Sequence, residues 1–222
     1  MAAPVSVIIP TLDAEAVLSA CLHGLVEGLD AGVITELVVS DGGSSDATLK
    51  LADAWGAKIE TGPPSRGRQL RRGCAAARGV WFLVLHADTV LAPGWSEAVA
   101  EHLSQSKAGY FRLRFDRGGR AVAAWANMRA RVFGLPFGDQ GLLIRRDLYE
   151  RVGGFADQPL MEDVAMARAL RGKLTAIDAD AVTSAARYRA QGWARQGARN
   201  LWMQARYFAG VSPEVLARSY RK

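Results

Sequence analysis

Three short apolar runs, each closing on a turn that carries an aspartate, constrain this chain more than any other feature. Val5 to Ile9 (VSVII) runs into PTLDAE, Ile34 to Ser40 (ITELVVS) into DGGSSD, and Val80 to Leu85 (VWFLVL) into HADT. Runs of this length and β-branched content read as buried strands. Helical spacing fills the intervals at Ala14 to Leu29, Ala47 to Trp55 and the basic Arg66 to Arg78, with a short strand at Lys58 to Thr61. Strands alternating with helices predict a parallel sheet covered on both faces. In such a sheet ligands bind beyond the carboxyl ends of the strands, where the strand order reverses.

The second half is less regular. Helices are expected at Gly94 to Leu103, Ala121 to Phe133, a short stretch ending near Val152, and Met161 to Leu170. Strands are expected at Ala108 to Asp116, Gly141 to Arg145 and Thr175 to Ile177. A long amphipathic helix should run from Gln191 to Phe208, with a last short one opening at Ser212–Pro213. The fold class is therefore α/β, organised as one domain over residues 1–186 with a basic helical extension over 187–222 packed on it.

Composition removes several classes of function. With half its residues apolar and 23% charged, the chain is no disordered segment. Cys21 and Cys74 are too few for a disulfide framework or a cysteine-rich zinc site. The start lacks the basic flank and apolar length of a signal peptide, and no apolar run approaches the ~18 residues of a membrane span. A cytoplasmic protein is the expectation. The net charge of +6 is unevenly placed: from Arg187 onward there are eight basic residues and one acidic, Glu214. A near-neutral body with a basic tail argues for an enzyme with an anionic contact surface rather than a nucleic-acid binder.

The chemistry concentrates at the strand ends. Asp13, Asp41 and Asp88 each follow an apolar strand, and carboxylates converging on one rim repel unless a cation or ligand donors hold them. Singly, each has a bland reading: Asp41 as a turn residue before Gly42–Gly43, Asp13 as a helix cap. In HADT, Asp88 stands two residues after His86 with Ala87 between. An extended segment would put both on one side, where Mg²⁺ or Mn²⁺ would take oxygen ligands and share a diphosphate; His86, if a ligand, favours Mn²⁺. Its alternative is simple packing at the strand end. Arg66 and Arg68, in the first turn of a helix, make sense beside an anion, whereas Arg71 and Arg72 read as a solvated face. Glu162 and Asp163 open another helix, common for dipole reasons alone. They follow the polar GDQ (Gly138 to Gln140) and a Gly153–Gly154 bend, so one of them could take the proton of a hydroxyl acceptor.

Together VSVIIPTLD, VVSDGGSSDAT, HADT in the place of an Asp-x-Asp motif, GGF and the Glu162–Asp163 pair resemble family 2 glycosyltransferases of the GT-A fold. The match runs from Val5 to about Leu170. SRGRQL, LHADT, FGDQG, LMEDV and the tail GVSPEVLARSY are similar to a compact bacterial subgroup associated with radical-SAM proteins and arsenosugar biosynthesis. The resemblance implies a mostly parallel, Rossmann-like sheet and an inverting transfer from a nucleotide sugar, most often UDP-linked, to a hydroxyl. It implies that Pro10, Thr11 and Asp13 line the nucleoside pocket, that Asp41 accepts from the base, and that Arg68, Ala87 and Asp88 lie by the nucleotide. Asp88 would hold Mn²⁺ or Mg²⁺, with His86 as a second ligand; Asp163 would be the general base, and Gln140 and Glu162 would shape the acceptor side. Two departures stand out: Asp13–Ala14 replaces the usual Asn-Glu, and His86 replaces the first Asp of Asp-x-Asp. No Gln-x-x-Arg-Trp motif of processive synthases is present, which favours single-sugar transfer.

In the tail, Arg187, Arg189, Arg195, Arg199 and Arg206 interleave with Tyr188, Trp193, Trp202, Tyr207 and Phe208. That mixture suits peripheral contact with an anionic membrane, or single-stranded nucleic acid; the plain alternative is aromatics docked on the domain. The competing functions are a sugar nucleotidyltransferase, which would need a Gly-rich, Lys-bearing loop that PTLDAEAV lacks, and a non-catalytic binding protein on a degenerate transferase fold.

Overall fold

A computed structural model describes residues 4–220, apart from the side chain of Arg187. The chain runs β1 (Val5–Thr11), α1 (Glu15–Gly24), α2 (Val26–Asp30), β2 (Ile34–Asp41), α3 (Thr48–Ala54), β3 (Lys58–Thr61), α4 (Arg66–Ala76) and β4 (Trp81–Val84). It continues through β5 (Thr89–Leu91), α5 (Trp95–His102), β6 (Ala108–Phe115), α6 (Arg120–Phe133), a 3-10 turn (Gly138–Gln140), β7 (Leu142–Arg145) and α7 (Arg146–Arg151). It ends with α8 (Glu162–Ala169), β8 (Leu174–Thr183), α9 (Ala186–Gln191), α10 (Trp193–Phe208) and α11 (Pro213–Tyr220).

The eight strands form one sheet in the order β3-β2-β1-β4-β7-β6-β8-β5. The first four are parallel; β7 then runs antiparallel between β4 and β6, β8 lies parallel to β6, and β5 antiparallel to β8. The expected mostly parallel α/β sheet is thus present, with antiparallel strands confined to its second half. Strand alternation splits the core into two layers. Val5, Val7, Ile9, Leu83 and Leu85 pack with Leu18, Leu22 and Trp95 on one face. Ile8, Phe82 and Val84 pack with Leu70, Cys74 and Met166 on the other. Two buried faces explain why these strands read as continuous apolar runs rather than alternating ones.

The departures from expectation have local causes. The helix expected from Ala14 to Leu29 divides at Leu25 into α1 and α2; Gly24 lies close to Val90 and Gly28 against the Trp95 ring, where larger residues would collide. The long helix expected from Gln191 forms as α10 from Trp193 to Phe208; a further short helix, α9, precedes it, and Gly192, with a left-handed φ of 83°, separates the two. The strand expected at Thr175 to Ile177 is the ten-residue β8. Its Asp178 and Asp180 pair across to Arg112 and Arg114 of β6, so charged and small residues form a strand that a hydrophobic pattern underrates.

Candidate active site

Because β1 lies between β2 and β4, the reversal of strand order falls at the carboxyl end of β1, and the loops there define a crevice. The β1–α1 and β2–α3 loops are zipped together. Asp41, fully buried, accepts from the Thr11 hydroxyl (2.8 Å), the Ser44 hydroxyl (2.5 Å) and the backbone N–H groups of Gly43 (2.6 Å) and Ser44 (2.7 Å). Burial alone would raise its pKa, but these donors outweigh that and hold it below the usual aspartate value. Asp13, with φ 47°, accepts from the backbone and hydroxyl of Ser45 while its own N–H donates to Ser44. Gln69, buried in α4, ties Thr11 and Ser40 by donating to both carbonyls and accepts from the Ser65 N–H. Pro10 and Thr11 close β1 beside this clamp.

The HADT segment is a turn, not an extended stretch: β4 stops at Val84, and the Thr89 N–H donates to the His86 carbonyl at 3.1 Å to start β5. The alternation argument for His86 and Asp88 therefore does not apply. Asp88 is exposed and Ala87 buried, while the half-buried His86 ring sits against Gly138, where a Cβ would lie 2.2 Å from Nε2. Burial, with the nearby Arg66 charge, pushes the imidazole down to about 4, so it is neutral at physiological pH.

A second acidic group gathers around this turn. Asp163 is gripped by two backbone donors: the Gly138 N–H to Oδ2 at 2.8 Å and the Val164 N–H to Oδ1 at 2.7 Å. Met161, immediately before α8, has φ 64°; it and Asp13 are the non-glycine residues with positive φ among those described, and both sit in site loops. Glu162 is 1% exposed, with Oε2 lacking a hydrogen-bond partner. Burial and the adjacent Asp163 charge raise it to about 7. Asp139 likewise has an unpartnered buried Oδ1, and burial lifts it to about 6 against the pull of Arg129. His86, Glu162 and Asp163 line a cavity of about 30 Å³ with Phe137, Phe155 and Met166.

The cations divide sharply. Arg66 is exposed to solvent; desolvation around its guanidinium works against the charge, yet Glu162, Asp163 and Asp88 raise its pKa. Arg68 instead pairs with Asp157 at 2.7 Å in the open. It borders a separate 650 Å³ groove with Arg71, Arg72, Arg146 and Tyr149, a groove that includes none of Asp88, Asp139, Glu162 or Asp163. Gln140, fully buried, donates to the Phe111 carbonyl and Asn127 Oδ1 and accepts from the Phe137 N–H.

Asp88, Asp163, Glu162 and His86 are thus brought together, with Arg66. Asp13, Asp41 and Thr11 form a separate clamp, Arg68 pairs with Asp157, and Gln140 supports the 3-10 turn from beneath. The sequence reading missed Asp139, Arg129 and Gln69. Asp139 lies inside GDQ and Gln69 inside SRGRQL; Arg129 carries no local signal. Among the described residues no three His, Cys, Asp or Glu side chains group to hold a metal. The donor set, essentially Asp88 alone, fits a hard cation that takes its remaining ligands from a diphosphate and water, as Mg²⁺ commonly does.

A crevice at the switch point, rimmed by an arginine and carboxylates, is where a doubly wound α/β sheet places its ligands. Residues 6–157 match the model of Glycosyl transferase family 2, and the chain belongs to that family. It is 38% identical over 106 residues to the PGL/p-HBAD biosynthesis glycosyltransferases of Mycobacterium bovis (strain BCG / Pasteur 1173P2) and Mycobacterium tuberculosis (strain ATCC 25177 / H37Ra). That alignment covers 41% of this chain and 38% of the relatives' length. S. aureus TarS 1-349 in complex with UDP shares the fold with TM-score 0.64 at 15% identity, covering 82% of this chain and 60% of that one. The Mycobacterium tuberculosis glucosyl-3-phosphoglycerate synthase solved with Mn²⁺, UDP and glucosyl-3-phosphoglycerate gives TM-score 0.59 at 22% identity, covering 80% and 70%.

Proposed function

We propose that this chain moves a single sugar from a nucleotide sugar, UDP-linked, to a hydroxyl acceptor with inversion. The observation that carries this reading is Asp163, an ionisable carboxylate fixed by two backbone N–H groups beside Arg66. Both its oxygens retain lone pairs, so it is oriented without being used up. In the transfer the acceptor oxygen attacks the anomeric carbon, the bond from that carbon to the diphosphate breaks, and the hydroxyl proton passes to Asp163. Arg66 faces the diphosphate and stabilises the charge that develops there. Pro10, Thr11, Asp13 and Asp41 shape the nucleoside side. Ala87 leaves room at the turn, and Glu162 and Gln140 support the acceptor side. Mn²⁺ or Mg²⁺, held by Asp88 with His86 beside it, would supply charge neutralisation for the leaving diphosphate.

The UDP-containing neighbours support the donor class, and the SRGRQL, LMEDV and tail motifs support the arsenosugar-associated subgroup. We read residues 1–186 as the transferase domain and 187–222 as an extension on it, with residues 1–3 and 221–222 outside the described ones. Trp193 of α10 packs against Phe115 and stacks on Tyr188, in keeping with that reading. A cytoplasmic site of action with peripheral membrane contact through the tail completes the proposal; among the described residues no helix is long and apolar enough to cross a membrane.

Calorimetric titration of UDP and GDP with and without Mn²⁺ tests the donor assignment. Metal-dependent UDP binding that Asp88→Ala weakens is expected. Absence of nucleotide binding, with activity retained in Asp88→Ala, overturns it.

A further inference from the structure

Helix α6 leaves its large apolar side chains outside. The face it turns inward carries only small residues, Ala123, Ala126 and Ala130, and two polar ones: Asn127 exchanges hydrogen bonds with the Leu113 backbone, and Arg129, 8% exposed, lies 3.4 Å over the Phe137 ring. Its large apolar side chains face out, with Trp125 44%, Met128 38%, Val132 63% and Phe133 56% exposed. Positions 125, 128 and 132 follow helical spacing, so these residues form one stripe. A helix on a water-soluble domain normally turns that stripe inward, and a contiguous exposed apolar face marks an interaction surface.

Charge selects the partner. Between Asp116 and Asp139 there is no acidic residue, and Arg117, Arg120 and Arg131 stand exposed around the stripe. Helix α10 adds to it: Leu201, Trp202 and Phe208 are exposed, the helix has no acidic residue, and Arg195 stands in the open, while Arg199 and Arg206 donate to Ser219 and Tyr220 of α11. The two helices meet where the Trp193 ring packs on Gly118 and Gly119, at the N-terminal end of α6. A symmetric pairing of two α6 faces would bring the arginines of one copy, Arg120 and Arg131, against those of the other with no acidic residue on α6 between them, which opposes self-association. An apolar stripe with a Trp, ringed by arginines, fits the boundary between acyl chains and anionic headgroups.

We propose that α6 is a membrane-docking helix that inserts Trp125, Met128, Val132 and Phe133 into an anionic bilayer, with Arg117, Arg120 and Arg131 around it and Arg195 of α10 on the headgroups. This extends membrane contact from the tail to the body of the domain. Its consequence is positional: Phe133 lies five residues before Gly138, whose N–H holds Asp163. Docking here would set the acceptor side of the crevice against the lipid surface.

The test is flotation of the full chain with phosphatidylcholine vesicles, with and without 30 mol% phosphatidylglycerol. Binding to the anionic vesicles that weakens with salt is expected. Trp125→Ser/Phe133→Ser should reduce partitioning at least about tenfold, since both rings then no longer leave water for the acyl chains. Because both side chains are exposed, UDP affinity and far-UV circular dichroism should not change. Arg120→Glu/Arg131→Glu should lose binding to anionic vesicles while folding normally. Equal partitioning of wild type and Trp125→Ser/Phe133→Ser, no vesicle binding by the wild type, or a solution dimer abolished by that substitution would each overturn the proposal. None of these readouts depends on sugar transfer, so failure here and failure of the transferase reading are distinguishable.

Discussion

Asp41 and Glu162 are both acidic and both shut away from solvent, yet the protein treats them in opposite ways. Asp41 receives four hydrogen bonds, and its pKa falls despite burial. Glu162 leaves one oxygen without a partner, and its pKa climbs to about 7. The difference separates two kinds of site loop. Around Asp13 and Asp41 the carboxylates are spent on holding β1 and β2 loops in place. Around Asp88, Asp139, Glu162 and Asp163 acceptor capacity is left over, and buried acceptors without partners are where a ligand or a proton has something to gain.

The largest expected effect tests the unspent group. Asp163→Asn should keep UDP affinity within about twofold and lower turnover at least ~10²-fold, the usual contribution of a positioned general base. Steady-state transfer rates alongside calorimetry decide it; unchanged turnover would move the proton acceptor to Glu162. Its counterpart in the spent group is Asp41→Ala, which orphans the Gly43 and Ser44 donors. It should cost about 2–3 kcal/mol in urea unfolding. Because the folded pKa of Asp41 is depressed, its stabilisation is present above the unfolded value near 3.8 and is lost as pH falls through the folded one. A variant with native stability but lost nucleotide binding would show that Asp41 serves the ligand instead.

Next in size is a contrast within one helix. Arg66→Ala should weaken UDP binding about tenfold, an effect of ~1.4 kcal/mol. Arg68→Ala should change it less than twofold, since an exposed ion pair contributes about 0–1 kcal/mol. The reverse ranking would return the diphosphate to Arg68.

That contrast also shows how much could be read in advance. At 3.6 residues per turn, positions two apart point to nearly opposite sides of a helix, so the spacing of Arg66 and Arg68 already separates their immediate surroundings. The buried parallel strands were equally legible, because covering both faces writes uninterrupted apolar runs. Asp88 and Asp163 announced themselves at the end of a strand and the start of a helix. Asp139 and Arg129 did not: they meet the cluster only because β6, α6 and the 3-10 turn fold back across the sheet, a long-range event with no local pattern. Strand β8 escaped because its stability lies in cross-strand pairing of Asp178 and Asp180 with Arg112 and Arg114 rather than in apolar periodicity.

The smallest effect is the most diagnostic of the unspent group, since it needs no substrate. Glu162 has its pKa raised from 4.5 to about 7 by burial and by Asp163. An acid raised in the folded state favours folding through its neutral form, so ionising it costs stability as pH climbs from about 4.5 to 7, and the cost is constant above that. Glu162→Gln keeps the shape and removes the charge. In metal-free protein it should raise Tm by a few degrees at pH 8 and leave it nearly unchanged at pH 4, measured by calorimetric melting. The opposite sign at pH 8 would mean that the Glu162 charge is already compensated, by Arg66 above all. The contrast with Asp41 would then reduce to which partner, a hydroxyl and amide set or a guanidinium, satisfies each carboxylate.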